Sequence, residues 1–246
     1  MPPLTTIEWA LVCLVFVWSG FVRSGLGFGG AALAMPLMLF IIDNPLLWLP
    51  IVATHLLIFS ALTVYNRLHD VDWQYLKKAM LILLIPKLIG VFGLLNLPND
   101  LLVPLIYGIT FCYGLTYVFN YSFKSKNRLV DNILLVMGGY ASGTSLIGAP
   151  LISAVFARNV AIEKLRNTLF VTWMILVTIK MSTFVAFEID LQFKYSLYLL
   201  PVAAIGHWLG LNMHNRLIQD GGDKYKRILG IVLVVICGYG LLTSIA

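Results

Sequence analysis

The stretch Ser24-Gly25-Leu26-Gly27-Phe28-Gly29-Gly30 has a counterpart further along the chain, Ser142-Gly143-Thr144-Ser145-Leu146-Ile147-Gly148. Each stretch interrupts an apolar run, and Gly148 follows Gly30 by 118 positions. Backbone groups at membrane depth need a protein or water partner, so non-helical turns persist there only when they are buried in protein or line a cavity. The two stretches therefore predict a pair of interrupted helices inside a membrane protein.

The composition excludes a soluble globular domain. Of 246 residues, 60% are hydrophobic and 11% are charged, and the mean hydropathy is +0.90. A spanning helix needs about 20 apolar residues, so the chain has room for about eight to ten membrane segments and for no extramembrane catalytic domain. The apolar runs predict an all-α polytopic membrane protein with ten helical segments: 7–22, 27–42, 46–65, 75–95, 101–121, 132–142, 145–157, 164–187, 195–217 and 228–245.

The same shift relates further residues of the two halves of the chain. It aligns Asp72 with Asp190, and small gaps align Ile89-Gly90 with Ile205-Gly206. Each half then contains five of the ten segments. Because five is odd, the second half enters the membrane in the opposite orientation, and inverted repeats with broken helices are typical of secondary transporters. We predict a first transmembrane repeat, a cytoplasmic connecting loop and a second, inverted transmembrane repeat at 1–121, 122–131 and 132–246.

Lys and Arg residues are distributed unevenly over the predicted loops. If the N-terminus is outside and the ten segments alternate, 14 of the 17 Lys and Arg residues lie on one side. Short cytoplasmic loops are rich in these residues, so we expect a multi-pass protein of the cell inner membrane with its N-terminus and C-terminus outside. Whether the interrupted pairs span the membrane or are re-entrant stays open. Basic residues confined to short loops do not form a continuous cationic surface, and no nucleic acid is expected as a partner.

The glycine-rich breaks predict an anion site. A helix that begins at Gly27 to Gly30, and a counterpart that begins near Ser145, would present free N–H groups and the positive end of a helix dipole. Neighbouring hydroxyls would add hydrogen-bond donors. The alternative is that these small residues only let helices pack closely. The break residues predicted to bind the anion are Ser24, Gly27, Gly29, Gly30, Ser142, Gly143, Thr144, Ser145 and Gly148.

The ionisable residues inside the apolar runs are all cations or can become cations. Lys87, Lys180, His55 and His207 lie within runs, and Arg23 adjoins the first break, whereas every acidic residue lies in a loop or at a segment end. Intramembrane ionisable residues mark substrate pathways, so these five residues complete the predicted substrate-binding set. The alternatives are that the lysines extend to the outer interface and that the histidines form hydrogen bonds between helices.

Two other functions remain open on the residues alone. An anion channel would use the same cations. A serine intramembrane hydrolase would use Ser142 as nucleophile and His207 as base, although Tyr140 stands where rhomboid-type proteases have a glycine. The chain has single cysteines in apolar runs and no C-x-x-C pair, so we expect no metal and no cofactor.

Longer motifs surround the two breaks: Ser24 to Leu37, Ala53-Thr54-His55-Leu56, Gly143 to Pro150, Asn167-Thr168, and the loops at Asp72 and Asp190. Together they resemble the two repeats of the TauE/SafE-type sulfite and organosulfonate exporters, over nearly the whole chain. The resemblance implies a secondary transporter, not an enzyme, that exports small sulfur-containing anions across the cytoplasmic membrane. It further implies alternating access, with the anion held between the two interrupted pairs. The expected partners are a small anionic substrate and the lipid bilayer, and a homodimer is left open.

Cysteine-accessibility labelling tests the predicted orientation. In a background without native cysteines, single cysteines beside Asp43 and Asp100 should react with an impermeant maleimide added from outside. Cysteines at Lys126 and Lys226 should react only from inside, because their loops carry the positive charge. Labelling of positions 126 and 100 from the same side would contradict the inverted topology.

Overall fold

The computed structural model describes residues 3–26, 30–121, 127–219 and 222–245. Over these ranges the chain forms ten α-helices and one 3-10 turn at Leu68–Asp70, with no strand. The all-α prediction is confirmed, and the helix ends lie within a few residues of the predicted segment ends. The helices are α1 Thr6–Leu26, α2 Gly30–Ile41, α3 Pro45–Val64, α4 Trp73–Asn96, α5 Asn99–Val118, α6 Arg128–Ser145, α7 Ala149–Asn159, α8 Ile162–Ala186, α9 Phe193–Gln219 and α10 Gly222–Ile245.

Within the described ranges, six helices are long and apolar enough to cross a membrane: α1, α3, α4, α5, α8 and α10. Their apolar windows have mean hydropathies of 1.5 to 2.1, and 20 residues of α-helix extend about 30 Å, the thickness of the hydrocarbon core. Large apolar side chains on these helices are exposed, among them Leu62, Leu81 and Leu242 at 68%, 76% and 74%. Many exposed apolar side chains are unusual in water and ordinary in lipid, so the chain is a multi-pass membrane protein.

The described helices fall into two compact units. Unit 1 comprises Met1–Ile51, Leu97–Ser122 and Gln192–Ala246, and unit 2 comprises Val52–Asn96 and Phe123–Leu191. Each unit combines helices from both halves of the sequence, so the compact units cut across the predicted repeats. The repeat boundaries themselves stay a prediction.

In unit 1, α1 packs along α9, and α5 packs along α10. The short helix α2 contacts α1, α5 and α10. Glycines bring α1 and α9 together: Gly206 abuts the carbonyl oxygen of Val17, and Gly210 abuts that of Phe21. Small residues let membrane helices approach until their backbones touch, which increases the van der Waals contact between them.

In unit 2, α4 packs along α6, and α8 contacts α4, α7 and the 3-10 turn. Glycines again lie at the backbone crossings. Gly143 abuts the carbonyl oxygen of Lys87 and the Cα of Gly90, and Gly148 abuts the carbonyl oxygen of Gly138. Gly143 and Gly148 therefore let helices pack closely, which was the alternative interpretation of the breaks, and there is no open space at their Cα atoms.

The helices α6 and α7 form a hairpin. Arg158, near the end of α7, donates to Asp131 Oδ2 in the first turn of α6 at 2.8 Å, and Asn159 Nδ2 donates to the same oxygen at 3.2 Å. The pair therefore returns to the end at which α6 begins. The alternative in which this pair forms one discontinuous span is wrong, since α7 runs back along α6.

The sequence of the turn explains where the hairpin breaks. Leu146 has a left-handed φ of 61°, which ends α6 at Ser145. Gly148 caps α7, and Pro150 lies in the first turn of α7, where a missing N–H leaves no helical hydrogen bond unmade. The prediction that a helix begins near Ser145 is wrong: Ser145 is the last residue of α6, and α7 begins at Ala149.

Alanine substitutions test the packing role of these glycines. Gly143→Ala and Gly148→Ala should each destabilise the protein by about 1–3 kcal/mol, because a methyl group meets a neighbouring backbone carbonyl. Gly93→Ala is the matched control, because Gly93 lies in α4 with no atom within 4 Å of its would-be Cβ. It should be neutral or slightly stabilising, since alanine is the better helix former. The measurement is the melting temperature of each variant in detergent. Equal melting temperatures for all three variants would contradict the packing role.

Candidate functional site

Two lysine side chains of unit 2 are completely buried against the end of α6. Lys87 on α4 and Lys180 on α8 are both 0% exposed. The Lys87 amine donates to the carbonyl oxygen of Ser142 at 2.8 Å and to its hydroxyl oxygen at 3.0 Å. The Lys180 amine donates to the carbonyl oxygens of Gly143 at 2.7 Å and Thr144 at 3.2 Å. The alternative in which these lysines extend to the membrane interface is therefore wrong.

The end of α6 explains why two amines lie there. The last carbonyl groups of a helix have no intrahelical partner, and they form the negative end of the helix dipole. Leu146 leaves the helical path directly after Ser145, so these carbonyls face a region without further α6 turns. The Lys180 amine supplies donors to the carbonyls of Gly143 and Thr144, and the Lys87 amine adds a second donor at Ser142, whose carbonyl oxygen also accepts from the Leu146 N–H. The arrangement is the reverse of the sequence-based hypothesis, which placed the positive end of a helix at this position.

The hydroxyl groups of the last α6 turn are engaged within the site. Thr144 Oγ1 donates to the carbonyl oxygen of Ala141 at 3.2 Å, and Ser145 Oγ donates to the same oxygen at 3.0 Å. Thr144 and Ser145 therefore direct their hydroxyl protons into their own helix, and their role as donors to a ligand stays a prediction. Ser142 differs from both, because its oxygen accepts from Lys87.

The surroundings of the two amines contain cation-stabilising groups but no carboxylate contact among the described residues. Ion pairs in those ranges join His69 to Asp70 and Arg158 to Asp131, and neither involves the two lysines. The Lys180 amine also lies 5.6 Å from the centre of the Phe184 ring, within the range of a cation–π interaction. Phe184 was not among the residues predicted from the sequence, although its position four residues after Lys180 places both on one helix face.

The remaining predicted residues of the first break lie in unit 1. Ser24, which is 2% exposed, is hydrogen-bonded through its hydroxyl to His207 Nδ1 on α9. Arg23 is 7% exposed, and Gly30 packs against it. Ser19 Oγ, which the sequence analysis did not select, donates to the carbonyl oxygen of Gly30 at 3.3 Å. The predicted residues Gly27 and Gly29 lie outside the described residues.

The histidines occupy different environments. His207 makes a hydrogen bond between helices, as the alternative interpretation of its sequence position describes. His55 on α3 is 2% exposed, and its ring meets the Phe59 ring edge-on at 6.3 Å. The predicted nucleophile and base of a hydrolase have other partners: Ser142 bonds Lys87, and His207 bonds Ser24.

A second polar contact ties together two of the motifs noted in the sequence. The backbone N–H of Asp72 donates to Thr168 Oγ1 on α8 at 3.0 Å, and Asp72 Oδ1 accepts from the N–H of Tyr75 at 2.9 Å. The loop before α4 is thereby fixed to the beginning of α8. These contacts position the two helices that carry Lys87 and Lys180.

Comparison with known proteins agrees with this architecture. The family described as Sulfite exporter TauE/SafE matches residues 12–240, which is nearly the whole chain. No curated protein and no solved structure matches the chain. In the part of the chain that the structure describes, no group of three or more His, Cys, Asp or Glu side chains is placed to hold a metal ion. The family match over almost the full length, on an all-helical membrane protein with buried cations, shows that this chain belongs to the TauE/SafE sulfite exporter family of membrane transporters.

Proposed function

We propose that the protein is a secondary transporter that exports small sulfur-containing anions, such as sulfite or organosulfonates, across the cell inner membrane. The observation that carries the proposal is the pair of buried amines, Lys87 and Lys180, at the end of α6. The family match supports the class of substrate. The buried amines support the sign of its charge and the place at which it binds.

The charge of this site favours an anion. Burying an ammonium group away from water costs several kcal/mol unless other groups compensate. The carbonyl oxygens of Ser142, Gly143 and Thr144 compensate in part, but they carry only partial charges. An anion beside the two amines supplies the missing full charges. A cation would meet two ammonium groups already occupying the available carbonyls.

The hydrogen-bonding capacity of the amines suits an oxyanion. Each ammonium group has three N–H donors, and two acceptors are engaged at each of Lys87 and Lys180. One donor on each amine is left for a ligand. Sulfite and sulfonates present three oxygens on one sulfur, so a single small anion can accept from both amines at once.

The remaining parts of the proposal concern orientation and mode of transport. We place the N-terminus and the C-terminus outside, following the distribution of Lys and Arg in the loops. The two sequence repeats are inverted, and transport proceeds by alternating access, as in other inverted-repeat carriers. A homodimer stays open. A carrier of this kind shows saturable flux and exchange of anion across the membrane, whereas an anion channel shows conductance without saturation.

The geometry does not favour the serine hydrolase. A lysine that serves as a general base has to be neutral. Lys87 instead donates to both the carbonyl oxygen and the hydroxyl oxygen of Ser142, and His207, the predicted base, is hydrogen-bonded to Ser24. We therefore expect no hydrolytic activity from the wild type, and we expect Ser142→Ala to alter anion binding.

Replacement of the lysines tests the proposed site. Lys87→Met and Lys180→Met keep the chain length and remove the charge. Each should weaken binding of sulfite by about 1.5–3 kcal/mol, or about 10- to 150-fold, because a hydrogen bond to a charged group is lost. Isothermal titration with purified protein gives the affinity per folded molecule, and proteoliposome flux gives the transport rate.

The matched control is Lys194→Met, because Lys194 is an exposed lysine in the first turn of α9. Its affinity should equal that of the wild type. Melting temperatures identify any variant that fails to fold, since the lysines also satisfy the end of α6. Wild-type affinity in both folded lysine variants would overturn the proposed site.

A further inference from the structure

Unit 2 contains a second pair of basic side chains, near the beginning of α8. Arg166 lies in the second turn of α8, and Arg67 lies between the end of α3 and the 3-10 turn. Arg166 precedes Lys180 by 14 residues, which is about 21 Å along the helix. The arginine pair is therefore separate from the proposed transport site.

Backbone contacts bring Arg67 to the beginning of α8. The 3-10 turn packs against α8. The Asp72 N–H donates to Thr168 Oγ1 at 3.0 Å, which fixes the residues after the turn to that helix. Within the turn, the Arg67 N–H donates to the carbonyl oxygen of Val64 at 2.9 Å, and the Asp70 N–H donates to that of Arg67 at 3.1 Å. The turn thereby holds Arg67 beside the first turns of α8.

The guanidinium group of Arg166 is held in place but is not neutralised. It lies 5.7 Å from the centre of the Phe170 ring, within the range of a cation–π interaction. Its Nε is buried and has no hydrogen-bond partner. The like charge of Arg67 lies close enough to repel it. Two like charges beside a buried donor require a negative charge and a hydrogen-bond acceptor.

The acids near this pair do not supply that charge. Asp70, in the 3-10 turn, pairs with His69. A carboxylate oxygen of Asp72 accepts from the backbone at the beginning of α4. Glu163, three residues before Arg166 on α8, is exposed and forms no ion pair with it. In the part of the chain that the structure describes, the acceptor for the two arginines is thus left to a ligand.

Aromatic side chains around the pair indicate its depth in the membrane. Tyr65 and Trp73, on either side of the 3-10 turn, are both exposed. Tyr and Trp are enriched where a membrane meets water, at the level of the lipid headgroups. Arg67 follows α3 by three residues, and Arg166 lies about 6 Å from the beginning of α8. Since both helices are long and apolar enough to cross a membrane, the arginines lie at headgroup level.

From this charge and this depth we propose that Arg67 and Arg166 bind a phosphate-class oxyanion, and that it is the phosphate group of an anionic lipid. Guanidinium groups suit phosphate because their N–H donors form a planar fork that can bind two oxygens at once. Basic pockets between membrane helices are typical places for anionic lipid headgroups. Such a site is independent of the anion that the protein transports.

Lipid binding by the purified full-length protein in detergent tests this site. The probe is phosphatidylglycerol, with phosphatidylcholine as the zwitterionic lipid and inorganic phosphate, at equal ionic strength, as the free oxyanion. A ligand that binds only the folded protein raises the melting temperature as its concentration increases, which gives an apparent affinity. Native mass spectrometry counts the lipids that remain bound.

Four variants are compared with the wild type: Arg67→Gln, Arg166→Gln, Arg166→Lys and the control Arg128→Gln. Arg128 is an exposed arginine at the beginning of α6 in the same unit. Arg67→Gln and Arg166→Gln should each weaken phosphatidylglycerol binding about fivefold or more, and Arg128→Gln should leave it unchanged. Arg166→Lys should restore only part of the affinity, because lysine keeps the charge but lacks the paired donors.

The other two ligands identify the source of the phosphate group. Binding of phosphatidylcholine and of inorganic phosphate should differ little between the wild type and Arg67→Gln. Without added lipid, Arg67→Gln should melt no lower than the wild type, because the substitution removes the repulsion between the two arginines.

Equal phosphatidylglycerol binding in the wild type and Arg67→Gln would overturn the inference. An equal loss in Arg128→Gln would also overturn it, since the total charge would then set the affinity. Inorganic phosphate binding that depends on Arg67, without such dependence for phosphatidylglycerol, would rule out the lipid as the source. Should Arg166→Gln fail to fold, Arg67→Gln still decides, because Arg67 is exposed.

Discussion

The carbonyl groups that end α6 have to be hydrogen-bonded in a part of the protein that excludes water. In a membrane protein this requirement is strict, because an unsatisfied buried carbonyl costs several kcal/mol in hydrocarbon. Lys180 meets the requirement at Gly143 and Thr144, and Lys87, from a different helix, adds a second donor at Ser142 beside the Leu146 N–H. The same solution concentrates positive charge at the turn, and that charge is what an anion carrier needs. One constraint thus accounts both for the end of the helix and for the proposed site.

Other features of unit 2 follow from the need to bring those amines to α6. Lys87 reaches the end of α6 because Gly90 and Gly143 let α4 and α6 touch at the backbone. The Asp131–Arg158 ion pair closes the α6–α7 hairpin at the end opposite the turn. Loss of any of these contacts should displace the amines before it unfolds the unit, since each is local to the hairpin.

The helices could be predicted from the sequence, but the contacts between side chains of different helices could not. Length and apolar runs predicted ten helices with ends close to those found. Backbone groups in a membrane have to be hydrogen-bonded within the protein, and an α-helix does this within a single apolar segment. The serine and glycine residues predicted to break the helices are helical at Ser24, Gly25 and Ser142 to Ser145, and the turn of the second stretch lies after them, at Leu146 to Gly148. The prediction that a helix begins near Ser145 was wrong. Leu146 adopts a positive φ and ends α6 there, and leucine has no intrinsic preference for that conformation that the sequence could reveal. Neither the pairing of Ser142 with Lys87 nor that of Ser24 with His207 could be derived, since each joins helices distant in the sequence.

The central claim is that an anion binds directly to Lys87 and Lys180. A crystal structure of the protein with selenite, an oxyanion of the same shape as sulfite, tests it, because the anomalous signal of selenium locates the anion independently of the protein model. A selenium peak is expected in unit 2 beside the end of α6, with selenite oxygens about 2.7–3.2 Å from both amines. A fully occupied selenium site elsewhere, with no peak beside these two amines, would contradict it.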